Sequence, residues 1–173
     1  YRHCSFSTFD GGTGIVKMLM DYTSKWPPSN LLISGPCGSG KTHLAISVLR
    51  QMIEDGRWLY VWFIPATDLL LEIKTAFEPD SPLSEADIID KYADMDFLAI
   101  DDLGAEYLTD WVISTFYRII DRRFREAVPT LITTNLSNDE MEARFGARIA
   151  SRISNYTRIQ LQGKDFRKKG QTE

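Results

Sequence analysis

The stretch with the clearest chemistry is Gly35-Pro36-Cys37-Gly38-Ser39-Gly40-Lys41-Thr42. Gly35, Gly38 and Gly40 let the backbone turn through positive φ and come close to a ligand. The N–H groups of such a loop point inward and cradle phosphate oxygens at the positive end of a following helix. Lys41 would reach the β- and γ-phosphates, and the Thr42 hydroxyl would hold Mg²⁺. A ligand-free glycine turn between a strand and a helix is the plainer alternative. The Lys-Thr pair, the apolar residues ahead of the loop and the helical pattern behind it weigh against that alternative and predict binding of a nucleoside triphosphate.

A second group of candidates lies where apolar runs end in polar side chains. Phe97-Leu98-Ala99-Ile100 runs into Asp101-Asp102. Open α/β sheets bind ligands at the carboxyl ends of their strands, so these acids belong beside the glycine loop. Asp101 suits a divalent cation, directly or through water. Asp102 suits the orientation or deprotonation of an attacking water. A helix-capping Asp pair is the plain alternative. Asn135 closes the run Pro129 to Thr134 and faces the same end, as a water-positioning group, a γ-phosphate sensor or a turn former. Arg144, Arg148 and Arg152 recur at spacings of four in the helical pattern 141–152, which would align them along one face, as a solvated surface or an anion site. Gly146 marks a candidate break in that pattern.

The elements that must position these groups follow from periodicity. Leu31 to Ser34 is a short apolar run of the kind buried on both faces of a parallel sheet. Ala45, Val48, Leu49 and Met52 share one face of the next helix, which stops at Gly56. A strand is expected from Trp58 to Ile64 and a helix from Ala66 to Phe77 with Leu69, Leu70 and Ile73 inward. Ser84-Glu85-Ala86-Asp87 reads as a capping box opening a helix to Tyr92. Leu108 to Arg125 is a long helix whose buried stripe is Ile113, Phe116, Ile120 and Phe124, and Thr157 to Leu161 is a last strand. At the N-terminus, Tyr1 to Asp10 reads as extended and Ile15 to Tyr22 as a short helix. Five strands alternating with helices give an α/β class with a mostly parallel sheet and right-handed crossovers. The pattern leaves strand order open.

Composition sets the bounds. With 173 residues, 43% of them hydrophobic, the chain suits one domain with a real core. A net charge of −4 does not favour broad, non-specific coating of DNA, though it leaves room for a local basic groove. No apolar run is long enough to span a bilayer, and nothing at the N-terminus reads as a signal peptide. Cys4 and Cys37 lack metal spacing and point to a reducing cytoplasm. His3 and His43 are too few for a metal site, and His43 reads as a packing or surface residue rather than a catalyst. The first residue is Tyr1 rather than Met, as in a piece of a longer protein with an upstream partner-binding region.

Taken together, the motifs resemble the AAA+ ATPases, and within them the DnaC/DnaI/IstB-like group of helicase loaders and transposition helpers. The resemblance rests on Gly35 to Leu44, Phe97 to Gly104, Pro129 to Ser137, Gly146 to Ile153 and Gly163 to Arg167, in this order. It implies a three-layer P-loop NTPase fold of AAA+/RecA-like type, a five-stranded sheet in the order 5-1-4-3-2, and no C-terminal lid. It implies nucleotide binding by Gly35, Pro36, Cys37, Gly38, Ser39, Gly40, Lys41, Thr42 and His43, with Mg²⁺ on Thr42 and Asp101. Asp102 takes the second Walker B position, Asn135 matches sensor 1, and Arg152 matches an arginine finger that completes a neighbouring subunit's site. Arg148 sits one turn before Arg152, and Arg167 matches a basic residue near the group's C-terminus. The helices between Ala66 and Tyr92 correspond to a region that faces single-stranded DNA in this group, where Lys74 offers a charge and Phe77 a stacking ring. Cys37 departs from the usual small residue or proline. Asp102 stands where many AAA+ proteins carry Glu, and its shorter reach implies slow hydrolysis. The implied cofactors are ATP or ADP with Mg²⁺. The implied partners are further copies of the chain, single-stranded DNA and a replicative helicase, with a transposase and duplex DNA as the alternative. A small-molecule P-loop kinase shares the first motifs, but it would carry an arginine-rich lid that this sequence does not display. A nucleotide-gated binding module with negligible turnover is a third reading, which Asp102 keeps open.

Overall fold

The computed structural model describes residues 1–56 and 60–162. A 3₁₀ turn, Phe6–Thr8, precedes α1 (Thr13–Ser24), β1 (Leu31–Ser34), α2 (Lys41–Glu54), β2 (Val61–Pro65), α3 (Ala66–Thr75) and α4 (Glu85–Ala93). Then come β3 (Phe97–Asp101), α5 (Asp110–Arg125), β4 (Thr130–Thr134), α6 (Asn138–Phe145), α7 (Ala147–Ser154) and β5 (Thr157–Gln160).

The strands form one parallel sheet in the order β2-β3-β4-β1-β5. This is the expected 5-1-4-3-2 order. The strand that follows the glycine-loop helix is displaced to the edge, and β4 is inserted between β1 and β3. Every residue of β1, β3 and β4 is buried, because helices cover both faces of the sheet. On one face, α1 and α2 pack Leu19, Leu44, Val48 and Met52 against Leu31, Ile33, Ala99 and Leu131. On the other, α3 to α7 pack Leu69, Ile89, Phe116, Phe145 and Ile149 against Leu32, Leu98, Ile100 and Ile132. Alternate residues of each central strand thus serve opposite layers.

Local chemistry sets the element ends. The Ser84/Asp87 capping box opens α4 as expected, and Ser137 and Glu140 form an equivalent box at α6. The long helix starts at Asp110 rather than Leu108 because the Thr109 hydroxyl accepts the Val112 N–H at 3.3 Å. The edge strand begins at Val61, and the expected start at Trp58 lies outside the described residues. The helix after it ends at Thr75 rather than Phe77.

Two expectations are corrected. Tyr1 to Asp10 is not uniformly extended, since the hydroxyls of Ser5 and Thr8 close the short 3₁₀ turn. Arg144, Arg148 and Arg152 do not share one helical face, because Gly146 adopts φ 83 and separates α6 from α7.

Among the described residues one arginine is fully buried: Arg123, on α5. Its guanidinium donates to the carbonyls of Tyr92, Ala93, Met95 and Pro129 and to the Thr130 hydroxyl, at 2.7 to 3.1 Å. It thereby ties the end of α4 to the start of β4. Burial pulls its pKa down to about 10, so it stays charged at neutral pH.

Candidate functional site

The glycine loop joins β1 to α2 at the carboxyl end of the sheet. Lys41 is buried and folds back over the loop, with Nζ 2.9 Å from Gly35 O and 3.0 Å from Pro36 O. Gly40 adopts φ 91, and a Cβ there would lie 2.7 Å from the Phe9 ring. At Gly35 a Cβ would lie 2.7 Å from Leu161 O. The Ser39 hydroxyl is buried and has no hydrogen-bond partner among the described residues. A cradle too tight for side chains, an orphaned hydroxyl and a lysine bonded to loop carbonyls fit an anionic phosphate group.

Beside the loop, Asp101 ends β3, 5% exposed. The Thr42 hydroxyl donates to its two oxygens at 2.9 and 3.2 Å. The Thr133 hydroxyl donates to Oδ1 at 2.6 Å and accepts the Asp102 N–H at 2.8 Å. Burial pushes the Asp101 carboxyl above the ordinary carboxylate range, against the pull of Thr133, Thr42 and Lys41, and the Asp102 charge adds to the rise. A carboxylate and a hydroxyl held together in this way are a hard-oxygen donor set suited to Mg²⁺. Asp102 is exposed, with φ 57, an uncommon conformation for a residue with a side chain. It borders two clefts, of about 410 and 350 Å³, that also share Thr42 and Tyr1.

Asn135 follows β4 and donates from Nδ2 to Cys37 Sγ at 3.8 Å, which joins it to the glycine loop. His43 lines the larger cleft, but its Nε2 engages Ser5 O at 2.9 Å and the Thr8 hydroxyl at 3.2 Å. Its ring also lies 5.5 Å from that of Phe9, so it packs the N-terminal segment against the loop.

The family model for IstB-like ATP binding proteins matches residues 15–172. The chain belongs to this family. Among curated proteins, this IstB-like chain is 24% identical over 159 residues to the replicative helicase loader DnaC of Escherichia coli K12. That match covers 88% of this chain and 64% of DnaC, so the chain spans less than two thirds of that relative's length. Among solved structures it resembles the DnaC helicase loader, with a TM-score of 0.81 at 22% identity over 92% of this chain and 97% of that one. It also resembles the replication initiator DnaA bound to AMPPCP and single-stranded DNA, with a TM-score of 0.77 at 14% identity over 94% and 50% of the two chains. At these identities the likeness is one of fold, and the fold is that of the P-loop AAA+ proteins.

Those of the other predicted residues that the structure describes lie away from the loop. Arg152 of the IstB-like chain is on α7, where Nε and a terminal nitrogen each lie 3.0 Å from Asp121 Oδ1 and the guanidinium lies 5.2 Å from the Phe124 ring centroid. Burial would raise the Asp121 carboxyl, but the bonds from Arg152 and Arg125 prevail and hold it below the usual range. Arg148 lies 6.0 Å from the Tyr117 ring centroid. Among the described residues no arginine lines either cleft. Arg167 lies outside the described residues.

Lys74 and Phe77 converge on a residue that the sequence reading passed over. Lys74 Nζ lies 5.6 Å from the Trp111 ring centroid, and the Phe77 and Trp111 rings meet edge to face at 5.9 Å. Phe77 is 58% exposed, which excludes a core role. No helix among the described residues is long and apolar enough to cross a membrane.

Proposed function

We propose that this chain is the ATPase module of a DnaC-like helicase loader, which binds ATP with Mg²⁺, assembles with copies of itself and engages single-stranded DNA. The observation that carries the reading is the bonded set Thr42–Asp101–Thr133 beside buried Lys41 and the orphaned Ser39 hydroxyl. In this reading, residues Gly35 to Thr42 hold the phosphates and Lys41 neutralises their charge. Thr42 and Asp101 would hold Mg²⁺, which supplies charge neutralisation on the β- and γ-oxygens. Asp102 orients the attacking water and accepts its proton, and Asn135, tied to Cys37, positions the γ-phosphate end. His43 supports the loop from behind. The short reach of Asp102 makes hydrolysis slow.

The transition state calls for a second cation besides Lys41, and among the described residues no arginine lines either cleft. Arg152 is the leading candidate, delivered from an adjoining copy, with Arg148 beside it on the same helix. The side chain of Arg152 is 32% exposed and held by an acid, which supports presentation to a partner. Phe77, Trp111 and Lys74 supply rings and a cation suited to stacking on bases and pairing with a backbone. The names of the similar proteins, a helicase loader and an initiator bound to single-stranded DNA, support the same direction.

The test is ATP turnover with single-stranded DNA, duplex DNA or none, across protein concentrations. The rate per subunit should rise with concentration and with single strands. A rate indifferent to both would refute an assembling loader and favour a self-contained site. Lys41→Ala should abolish ATP binding in calorimetry, and retained affinity would remove Lys41 from the site. A second reading, consistent with the match to IstB-like ATP binding proteins, is a transposition ATPase on duplex DNA. Turnover stimulated by duplex over single strands would select it.

A further inference from the structure

The loop that follows Asp102 is fastened from outside. Arg144, on α6, donates from one guanidinium nitrogen to Gly104 O at 2.6 Å and from the other to Glu106 O at 3.1 Å. Glu106 is buried, and its two carboxylate oxygens lie 3.2 and 3.1 Å from the Gly104 nitrogen. The segment from Asp102 to Glu106 is thus closed on itself by one acid and clamped by one base. Gly104 permits the closure with φ 102, where a Cβ would lie 2.5 Å from the Leu136 side chain.

The same segment is stitched to β4. Leu103 donates its N–H to Thr133 O at 2.9 Å and accepts the Thr134 hydroxyl at 2.6 Å. The Leu136 N–H completes the set on Thr134 Oγ1 at 3.1 Å. Arg144 arrives on the helix that follows Asn135, so it fastens the loop behind Asp102 to the element behind Asn135. A residue with φ 57 persists only when its surroundings over-determine it.

We propose that Arg144 is a positioning residue, which with Glu106 fixes the backbone of Asp102 and so sets the placement of the carboxylate that orients the attacking water. This rests on the hydrolysis assigned above, and it gives a role to a residue that the sequence pattern leaves open between a solvated surface and an anion site. Arg144 is itself exposed, so its removal leaves the core intact.

The experiment combines hydrogen exchange with kinetics on the full chain carrying Arg144→Met or Arg144→Lys. In Arg144→Met, the amides of residues 102–106 should exchange at least about tenfold faster, with those of the glycine loop unchanged. ATP affinity should stay within about twofold, while kcat falls about ten- to a hundredfold, the effect of a displaced reacting group. Arg144→Lys, which keeps a single cationic donor group, should fall between. Unchanged exchange over 102–106 overturns the clamp. Faster exchange with unchanged kcat, or ATP affinity lost in step with kcat, overturns the positioning role. If the wild type shows no turnover under any condition, the hydrolysis reading fails, and the exchange result alone decides whether Arg144 fixes this segment.

Discussion

Replacing Arg123 with Met tests whether the buried guanidinium holds the end of α4 to the start of β4. The carbonyls of Tyr92, Ala93, Met95 and Pro129 would lose their donor, and Thr130 Oγ1 would lose another. An unsatisfied buried acceptor costs about 1–3 kcal/mol, so four at the low end of that range give about 4 kcal/mol. Methionine fills much of the volume and spares the burial of a charge, which returns part of that loss. A net destabilisation of about 3 kcal/mol remains, a large share of the roughly 5–15 kcal/mol that holds a typical domain together. For a domain of this size that corresponds to a fall in Tm of about 6–12 °C. Thermal melts followed by circular dichroism would measure it, with Arg118→Met on the same helix as the surface control. Arg123→Lys keeps the charge but loses the planar fork, and should fall between. A loss below about 2 °C in Arg123→Met, equal to that of the control, would refute the clamp.

Arg152→Ala should bind ATP normally and hydrolyse it at least about a hundredfold more slowly, given the usual worth of an arginine finger. Mixing it with Lys41→Ala subunits should restore turnover, and no recovery at any ratio would exclude a shared site. Thr133→Val keeps the shape of a β-branched residue but removes the hydroxyl between Asp101 and the Asp102 N–H. Mg²⁺-dependent ATP affinity should weaken about tenfold, the worth of roughly one hydrogen bond to a charged group, and an unchanged Mg²⁺ titration would count against it. The Asp121 carboxyl is held below its ordinary range, so its ion pairs stabilise the fold above the unfolded-state carboxylate pKa and are lost as pH falls through the lower folded value. Melts from pH 7 down to pH 3 should show Asp121→Asn below wild type at neutral pH and converging on it in acid, and a constant gap would refute this linkage.

The glycine loop and the acid pair were legible because each is a local event: a handful of adjacent residues whose types answer to one ligand. The lateral position of β4 was not, since alternation along the chain says nothing about which strands pair. That order came only from the resemblance. Thr133 gave no signal, because Thr-Thr in an apolar run reads as ordinary strand composition, and its role depends on β4 lying against β3. Arg123 sits between Arg122 and Arg125 in a basic stretch that reads as solvated, and its inward role depends on the approach of α4 and β4, whose carbonyls it bonds. Trp111 could have been found: a tryptophan beside Asp110 at the start of a helix, outside the expected apolar stripe, is a costly residue to leave partly exposed.

The corner at Gly146 sorts charge. Written along the sequence, Arg144, Arg148 and Arg152 would stack as like charges one turn apart, each adjacent pair costing a few tenths of a kcal/mol in a continuous helix. By turning at φ 83, the chain takes Arg144 out of that row to the backbone carbonyls at 104 and 106, while Arg148 and Arg152 stay one turn apart on α7, against the face of Tyr117 and the carboxylate of Asp121. A residue with a side chain at 146 would be strained in that corner and would favour one unbroken rod, in which the three cations compete for a single strip of surface. The glycine therefore acts as a divider between Arg144 and the two arginines of α7, all within nine residues of chain.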